Sequence, residues 1–455
     1  MNEPVHKLKI LQVNTTDRGG GAASSAWHLF REYKKRGHVS WLAVGYKFSD
    51  DPDVYRIPLN KANGLIHRMS ETVRRWLEGY CGKVKGAGRL RAILPLMTSL
   101  EKMKNRWHGM ENCYGYNSDS LLTLTPEQPN VIHCHNLHGG YFDLQSLIYL
   151  SREVPVILNL RDCWLLTGHC AHPLNCERWL SGCGDCPDLS IYPRIRYDAT
   201  QVNWKKKRDI YHQSQLYIVA NSQWMLNQAR KSGLVGMDYC VIENGIDLSV
   251  FKPGNRVEAR ADVGLPTTAK VIMFAANGVR KNLWKDYRTM EDAIVYLAKY
   301  YKSGKLIFLF VGEQSKDKKI GDNIIVKFLG FLQDTYLMTK YYRCADVYMH
   351  AAKAESSCRT VTEALACGIP VVATAIGGIP EQIEDGINGF LTRPSDPQDM
   401  AYRTQMILEN DDIRTRMSKE AVRSSLRFDL NRQVDEFLAL YNAVKKNRRE
   451  VVCNF

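Results

Sequence analysis

The sequence predicts an α/β protein of two units, each a parallel sheet with crossover helices. Three observations predict it. Short apolar runs alternate with helix-period segments in both halves of the chain, which is the pattern of strand–helix–strand crossovers. Glycine turns stand where such crossovers leave open strand ends: Arg18-Gly-Gly-Gly21 in the first half and Gly377-Gly378 in the second. The length, 455 residues with 45% hydrophobic and 24% charged content, suits two or three globular domains with cores of their own.

Composition narrows the partners. The 62 Lys and Arg against 48 Asp and Glu give a formal charge of +14. That charge suits anionic partners: nucleotide diphosphates, lipid head groups or nucleic acid. Thirteen cysteines in a chain this long do not form a secreted disulfide scaffold. The first apolar run is too short for a signal peptide, and no run of 18 apolar residues occurs. The expectation is a cytoplasmic protein, with the inner face of the membrane as a candidate peripheral site.

In the first half, residues 8–14 (LKILQVN) read as a buried strand. The glycines of 18–21 follow, then a helix with Ala23, Ala26, Trp27, Phe30 and Tyr33 at helical spacing. Lys34, Lys35 and Arg36 suit its last turn, Gly37 suits its C′ position, and residues 39–45 form a second strand. Gly20 and Gly21 would let a diphosphate approach the helix start. A Walker lysine and a complete GxGxxG are missing. Residues 65–110 carry ten Lys or Arg between His67 and Met110 with apolar residues interleaved. This basic helical insertion is a surface for anionic lipid or a lipid-linked acceptor, or else a packed helix pair with a solvated face. No nucleic-acid motif accompanies the charge, so nucleic acid is not an expected partner. Residues 131–135 (VIHCH) form a strand that brings His135 and His138 to its carboxyl end, where open α/β sheets place ligands. Residues 156–160 form another, followed by Arg161-Asp162. In the Cys-rich loop 169–187, Cys170, Cys176, Cys183 and Cys186, with His169 and His172 nearby, resemble a structural zinc knuckle. The alternative is four free thiols in a reducing compartment.

Residues 216–221 read as a further strand of the first half; in the second half, residues 270–275, 305–312, 325–331 and 345–350 read as strands, and 338–344 as a helix. The loop 277–286 carries Arg280, Lys281 and Lys285, able to neutralise a diphosphate or simply to face solvent. Residues 354–378 then hold Glu355 and Glu363, eight apart. Thr360 and Glu363 fit a T-x-x-E capping box, which starts a helix near Thr360 with Glu363 in its first turn. The amides around Thr360 and Val361 would then face an anion. The bland reading is a capping glutamate and an ordinary helix–strand turn.

The stretch E-x7-E followed by EALACGIPVVAT-x-x-GG-x-PE resembles the donor site of retaining GT-B glycosyltransferases, in particular glycosyltransferase family 4 of the polysaccharide-biosynthesis type. Gly20, Gly21 and Gly37-His38 resemble that family's entry loop. Residues 242–253 resemble its PNGID-x3-F-x-P run, with Glu243 where proline is usual. Lys285 matches its K-G-x3-L-x-x-A lysine, with Asp286 in place of glycine. The resemblance implies a GT-B fold: two Rossmann-like domains with parallel sheets facing across a cleft, 1–253 on the acceptor side and 254–455 binding the nucleotide-sugar, the terminal helix returning to the first. It implies transfer of a sugar, with retention, from a nucleotide diphospho-sugar donor to a saccharide or lipid-linked acceptor. Glu363 would bind ribose, with the base near residues 328–331. Glu355 would hold donor-sugar hydroxyls, Arg280 and Lys285 the leaving diphosphate, and His135, or His138 as second choice, the transferred sugar. Arg161 stands where many relatives have histidine, which puts copied acceptor roles in doubt. No cofactor is expected for the chemistry. A nucleotide-sugar epimerase on the same fold and a catalytically silent carbohydrate-binding scaffold stay open.

Overall fold

The computed structural model describes residues 7–58, 73, 100–111 and 117–452. Most of the basic stretch 65–110 lies outside these residues. Its described end is the helix Leu100–Trp107. No described helix is long and apolar enough to cross a membrane.

The first sheet contains β1 (Lys9–Thr16), β2 (Val39–Tyr46), β3 (Val54–Arg56), β4 (Val131–Cys134), β5 (Val156–Leu160), β6 (Leu216–Ala220) and β7 (Asp238–Val241). Its order is β3-β2-β1-β4-β5-β6-β7, and every pair is parallel. Both strands β1 and β5 are buried along most of their length, β5 throughout and β1 from Ile10 to Asn14, as expected of a parallel sheet covered on both faces. The helix Gly21–Lys35 buries Ala23, Ala26, Leu29, Phe30 and Tyr33 against it. Gly37 closes that helix at φ 81°, with its N–H on Lys34 O and the His38 N–H on Tyr33 O, the Schellman pattern.

The second sheet contains β8 (Lys270–Ala275), β9 (Leu306–Val311), β10 (Lys318–Ile320), β11 (Ile324–Leu329), β12 (Val347–His350), β13 (Val371–Thr374) and β14 (Gly389–Thr392). Its order is β10-β11-β9-β8-β12-β13-β14. All pairs are parallel except the edge strand β10, which runs antiparallel to β11. Among the parallel strands of each sheet the order reverses direction once, between β1 and β4 and between β8 and β12. These are the switch points where crossovers diverge and leave room for a ligand at the strands' carboxyl ends.

The chain divides into residues 1–221, 225–242 and 434–455 as one compact unit and 222–224 and 243–433 as the other. The first boundary therefore falls near residue 242 rather than 253. Residues 243–253 join the second unit because Ile246 and Phe251 bury in its core. The Ile246 backbone also exchanges hydrogen bonds with Phe428 and Leu430. Residues 434–455 join the first unit. Tyr441 is buried there, its hydroxyl 3.0 Å from that of Tyr33 and 2.7 Å from His133 Nδ1.

A buried ion pair braces the first unit. Lys207, in the helix Thr200–His212, lies 2.9 Å from Glu111. Its ammonium also donates to the carbonyls of Trp164 and Thr167 at 2.8 and 2.9 Å, and Trp164 Nε1 donates to Glu111 at 2.8 Å. Removing one partner of such a pair strands a charge and costs about 3–5 kcal/mol. Lys207→Met is expected to lower the urea stability of this unit by that order, and the added Glu111→Gln change to recover part of the loss.

Candidate functional site

The residues singled out in the sequence gather at the two switch points, each within its own unit. In the second unit the loop after β8 is fastened to the end of β12. Asp286 N–H donates to Ala351 O at 3.0 Å and Lys353 N–H to Trp284 O at 2.8 Å, with a bridge between Lys285 and Ala352. This places the Lys285 ammonium on the Glu355 carboxylate. His350, fully buried at the end of β12, has Nε2 3.4 Å from Lys285 Nζ and 3.5 Å from Glu355 Oε1. The Cys358 sulfur stands 3.5 Å from the same nitrogen. Burial pushes the Lys285 ammonium below its ordinary range.

Gly377 and Gly378 close this site from behind. A Cβ on Gly377, at φ +59°, would lie 1.7 Å from Glu355 O, and one on Gly378 would lie 2.1 Å from Ser356 O. The Gly378 amide donates to Glu355 O at 3.1 Å. Glycine is required at both positions because the two backbones touch.

The helix after Glu355 runs from Arg359 to Ala366 with Cys358 as its N-cap and no side-chain cap. The expected capping box does not form. Glu363 sits in the second turn, its oxygens accepting from Arg359 Nε at 2.8 Å and Tyr342 OH at 2.9 Å. A carboxylate with two such donors has no reason to reach back to the helix start. The amides of Arg359, Thr360 and Val361 still begin the helix and have no acceptor within it. Cys358 is fixed instead by Gln382, which accepts from its N–H at 3.0 Å and donates to its carbonyl at 3.1 Å.

Arg280 lies on the loop after β8 but does not join Lys285. Its Nε and backbone N–H both donate to Glu313 at 2.7 Å, and its guanidinium stands 5.2 Å from the Phe328 ring centroid. Sequence reasoning missed His350, Cys358, Glu313 and Gln382. His350 ends a run that reads only as a strand, Cys358 carries no local spacing signal, and Glu313 and Gln382 lie 33 and 24 residues from Arg280 and Cys358.

In the first unit, Gly20 precedes the helix Gly21–Lys35 at φ 57° with no side-chain cap. A Cβ at Gly20 or Gly21 would meet nothing within 4 Å, so space is open over this helix start. His135 is 1% exposed and both its nitrogens are engaged by protein. Arg161 donates to Nδ1 at 3.2 Å, which leaves Nε2 as the donor to Gln12 Oε1 at 2.8 Å. Arg161 also donates to Ser25 at 3.0 Å. His138 lies nearer the surface, with Nε2 2.9 Å from Asp162 and Nδ1 3.3 Å from the Tyr192 hydroxyl. Burial raises the Asp162 carboxyl, but His138 and the Trp164 amide outweigh it and hold the group below its usual range.

Burial, with neighbouring cations adding to it, holds His133, His135 and His350 well below the ordinary imidazole value of 6.5. The unfolded chain takes up these protons below that pH and the folded chain does not. Stability therefore falls as pH drops below 6.5, by up to about 1.4 kcal/mol per pH unit for each histidine. Urea midpoints between pH 7 and 5 are expected to fall, and His350→Asn to remove one proton's share of the slope.

The family model described as "Glycosyl transferases group 1" matches residues 255–424. A D-inositol 3-phosphate glycosyltransferase of Mycolicibacterium vanbaalenii is 30% identical over 325 residues, 68% of this chain and 69% of the relative. A putative colanic acid biosynthesis glycosyl transferase, WcaC of Escherichia coli K12, is 24% identical over 382 residues, 81% of this chain and 83% of the relative. The chain spans about half the length, 52%, of D-inositol 3-phosphate glycosyltransferase 1 of Catenulispora acidiphila, at 28% identity and over 46% of its own length. Among solved structures, Anabaena HepE in complex with UDP and glucose superposes with a TM-score of 0.58 at 16% identity, over 98% of this chain and all of that one. The fold they share is GT-B, built of two Rossmann-like units.

Proposed function

This chain belongs to the group 1 glycosyl transferases, and from that premise we propose that it moves a sugar from a nucleotide diphospho-sugar to a hydroxyl of a saccharide or lipid-linked saccharide, with retention of anomeric configuration. One observation carries the reading. The switch point of the second sheet brings a buried cation, Lys285, onto the carboxylate of Glu355 at the entrance of the helix Arg359–Ala366. A diphosphate needs cationic and amide donors, and a sugar ring needs a carboxylate to accept from its hydroxyls. All three meet here, where the loop after β8 is fastened to the segment that leads into this helix. HepE, solved with UDP and glucose, shares the fold, and the relative WcaC is described as acting in colanic acid biosynthesis. Both support a sugar-nucleotide donor and a glycan product.

In this reading Lys285 steadies the leaving diphosphate, and the amides of Thr360 and Val361 add to that. Arg280 acts there once Glu313 releases it. Glu355 holds hydroxyls of the transferred sugar and Glu363 meets the ribose. The departing phosphate takes the acceptor's proton. Glu355 is already neutralised by Lys285, so it orients the donor rather than attacking it. The basic stretch 65–110 supplies the candidate face for anionic lipid.

Thermal melting against UDP, GDP, ADP and their sugar conjugates, without added metal, tests the reading. Ligand at 100 times its dissociation constant stabilises by about 2.7 kcal/mol, a rise of roughly 5–10 °C for a unit of this size. One nucleotide is expected to stand out, and Glu363→Ala to lose the shift. Glu355→Gln is expected to keep nucleotide binding but to cut transfer at least about 100-fold. No shift with any nucleotide at millimolar concentration overturns the proposal.

A further inference from the structure

The cysteines of the loop between β5 and the helix Thr200–His212 take no part in the proposed transfer. The loop's backbone is nonetheless closely fastened. Cys163 N–H donates to Ala171 O at 2.7 Å and Ala171 N–H to Tyr192 O at 2.8 Å. Gly184 N–H donates to Thr200 Oγ1 at 2.9 Å and Cys186 N–H to Asp198 at 2.7 Å. The turn bearing the last two thiols is wound left-handed through Cys183, Gly184 and Asp185, at φ 55°, 98° and 44°. Residues with a Cβ hold that conformation only where their surroundings fix it.

The donor atoms are prepared in the way metal ligands are. The Gly168 amide donates to Cys183 Sγ at 3.3 Å. His169 Nδ1 lies 3.0 Å from Pro193 O. A carbonyl only accepts, so Nδ1 carries the proton and Nε2 is bare. That nitrogen stands 3.4 Å from Cys186 Sγ. Two such atoms on one zinc, at about 2.3 and 2.0–2.1 Å with tetrahedral angles, lie roughly 3.5 Å apart. An imidazole locked through its other nitrogen by a backbone carbonyl is the usual support of a histidine ligand.

We propose that this loop holds a structural zinc ion on Cys183, Cys186 and His169, with Cys170 or Cys176 completing the tetrahedron. His169 and Cys186 already stand at ligand spacing, and the other thiols close on metal uptake, each losing its proton as it binds. Among the described residues, His350, Glu355 and Cys358 have donor atoms within 4.8 Å of one another. The Lys285 ammonium already occupies that carboxylate, which opposes a second cation. The zinc would fix residues 163–198, and through them Asp162 and Tyr192, which hold His138.

Metal analysis of the purified full chain tests this directly. About one zinc per chain is expected, released as the loop thiols are titrated with a mercurial. Cys183→Ser/Cys186→Ser should abolish it, and one of Cys170→Ser and Cys176→Ser, but not the other, should weaken it. His169→Ala is expected to lower zinc affinity at least about tenfold in chelator competition. A cobalt-substituted chain should show the visible bands of a tetrahedral site with three sulfurs and one nitrogen. Should a double variant fail to fold, thiol titration and zinc content of the unaltered chain still decide. Well under one zinc per chain, with no uptake on adding zinc to the reduced protein, overturns the proposal. Affinity unchanged by His169→Ala removes the histidine from it.

Discussion

The meeting of Lys285 with Glu355 governs the candidate donor site, and it depends on backbone held from two sides. On one side the loop after β8 is fastened to the end of β12 through Asp286, Lys353 and the Lys285–Ala352 bridge. On the other, Gly377 and Gly378 press their backbones against Glu355 and Ser356, where a single Cβ would intrude. A buried ion pair repays its desolvation only when geometry is fixed and further polar partners are near. Here the frame supplies the geometry, and His350 Nε2 stands beside both charges.

The neutrality of His350 follows from that same frame. A protonated imidazole there would face Lys285 at 3.4 Å and compete with it for Glu355. Burial and the lysine charge both oppose protonation. The end of β4 follows similar logic: Arg161 donates to His135 and helps hold it neutral. In each case a lysine or arginine lies next to an imidazole that stays uncharged. Positive charge at these sites rests on lysine and arginine rather than on the imidazoles, which suits an anionic ligand better than a cluster of titrating histidines would.

Much of this was legible in sequence. Buried strands such as β8 and β9 announce themselves as unbroken apolar runs, and the E-x7-E stretch with its glycine pair marks the second switch point. The short β3 and the lysine-rich β10 gave no such signal, because an edge strand buries little. The boundary near residue 242 was hidden because Ile246 and Phe251 look equally apolar whichever core takes them. The capping box failed for a reason sequence does not carry: Tyr342, distant in the chain, and Arg359 both donate to Glu363. The partners of His135, Arg280 and Cys358 were likewise invisible, since each is a long-range side-chain pairing.

The departure at Arg161 changes what the first unit can offer. With both nitrogens of His135 engaged, that imidazole has no free position for a ligand while Arg161 stays in place. The polar array nearer the surface runs from Asp162 through His138 to Tyr192. Tyr192 as a whole residue is 47% exposed, but burial around its hydroxyl, with Asp162 nearby, pushes that group up to about 12. It remains a hydroxyl at neutral pH, able to donate and accept but not to act as a base. A transfer in which the leaving phosphate takes the acceptor's proton needs no base from the protein, only groups that hold sugar hydroxyls in place. In the proposed transfer, such an array, steadied by a carboxylate held below its usual range, would take that place without an open histidine.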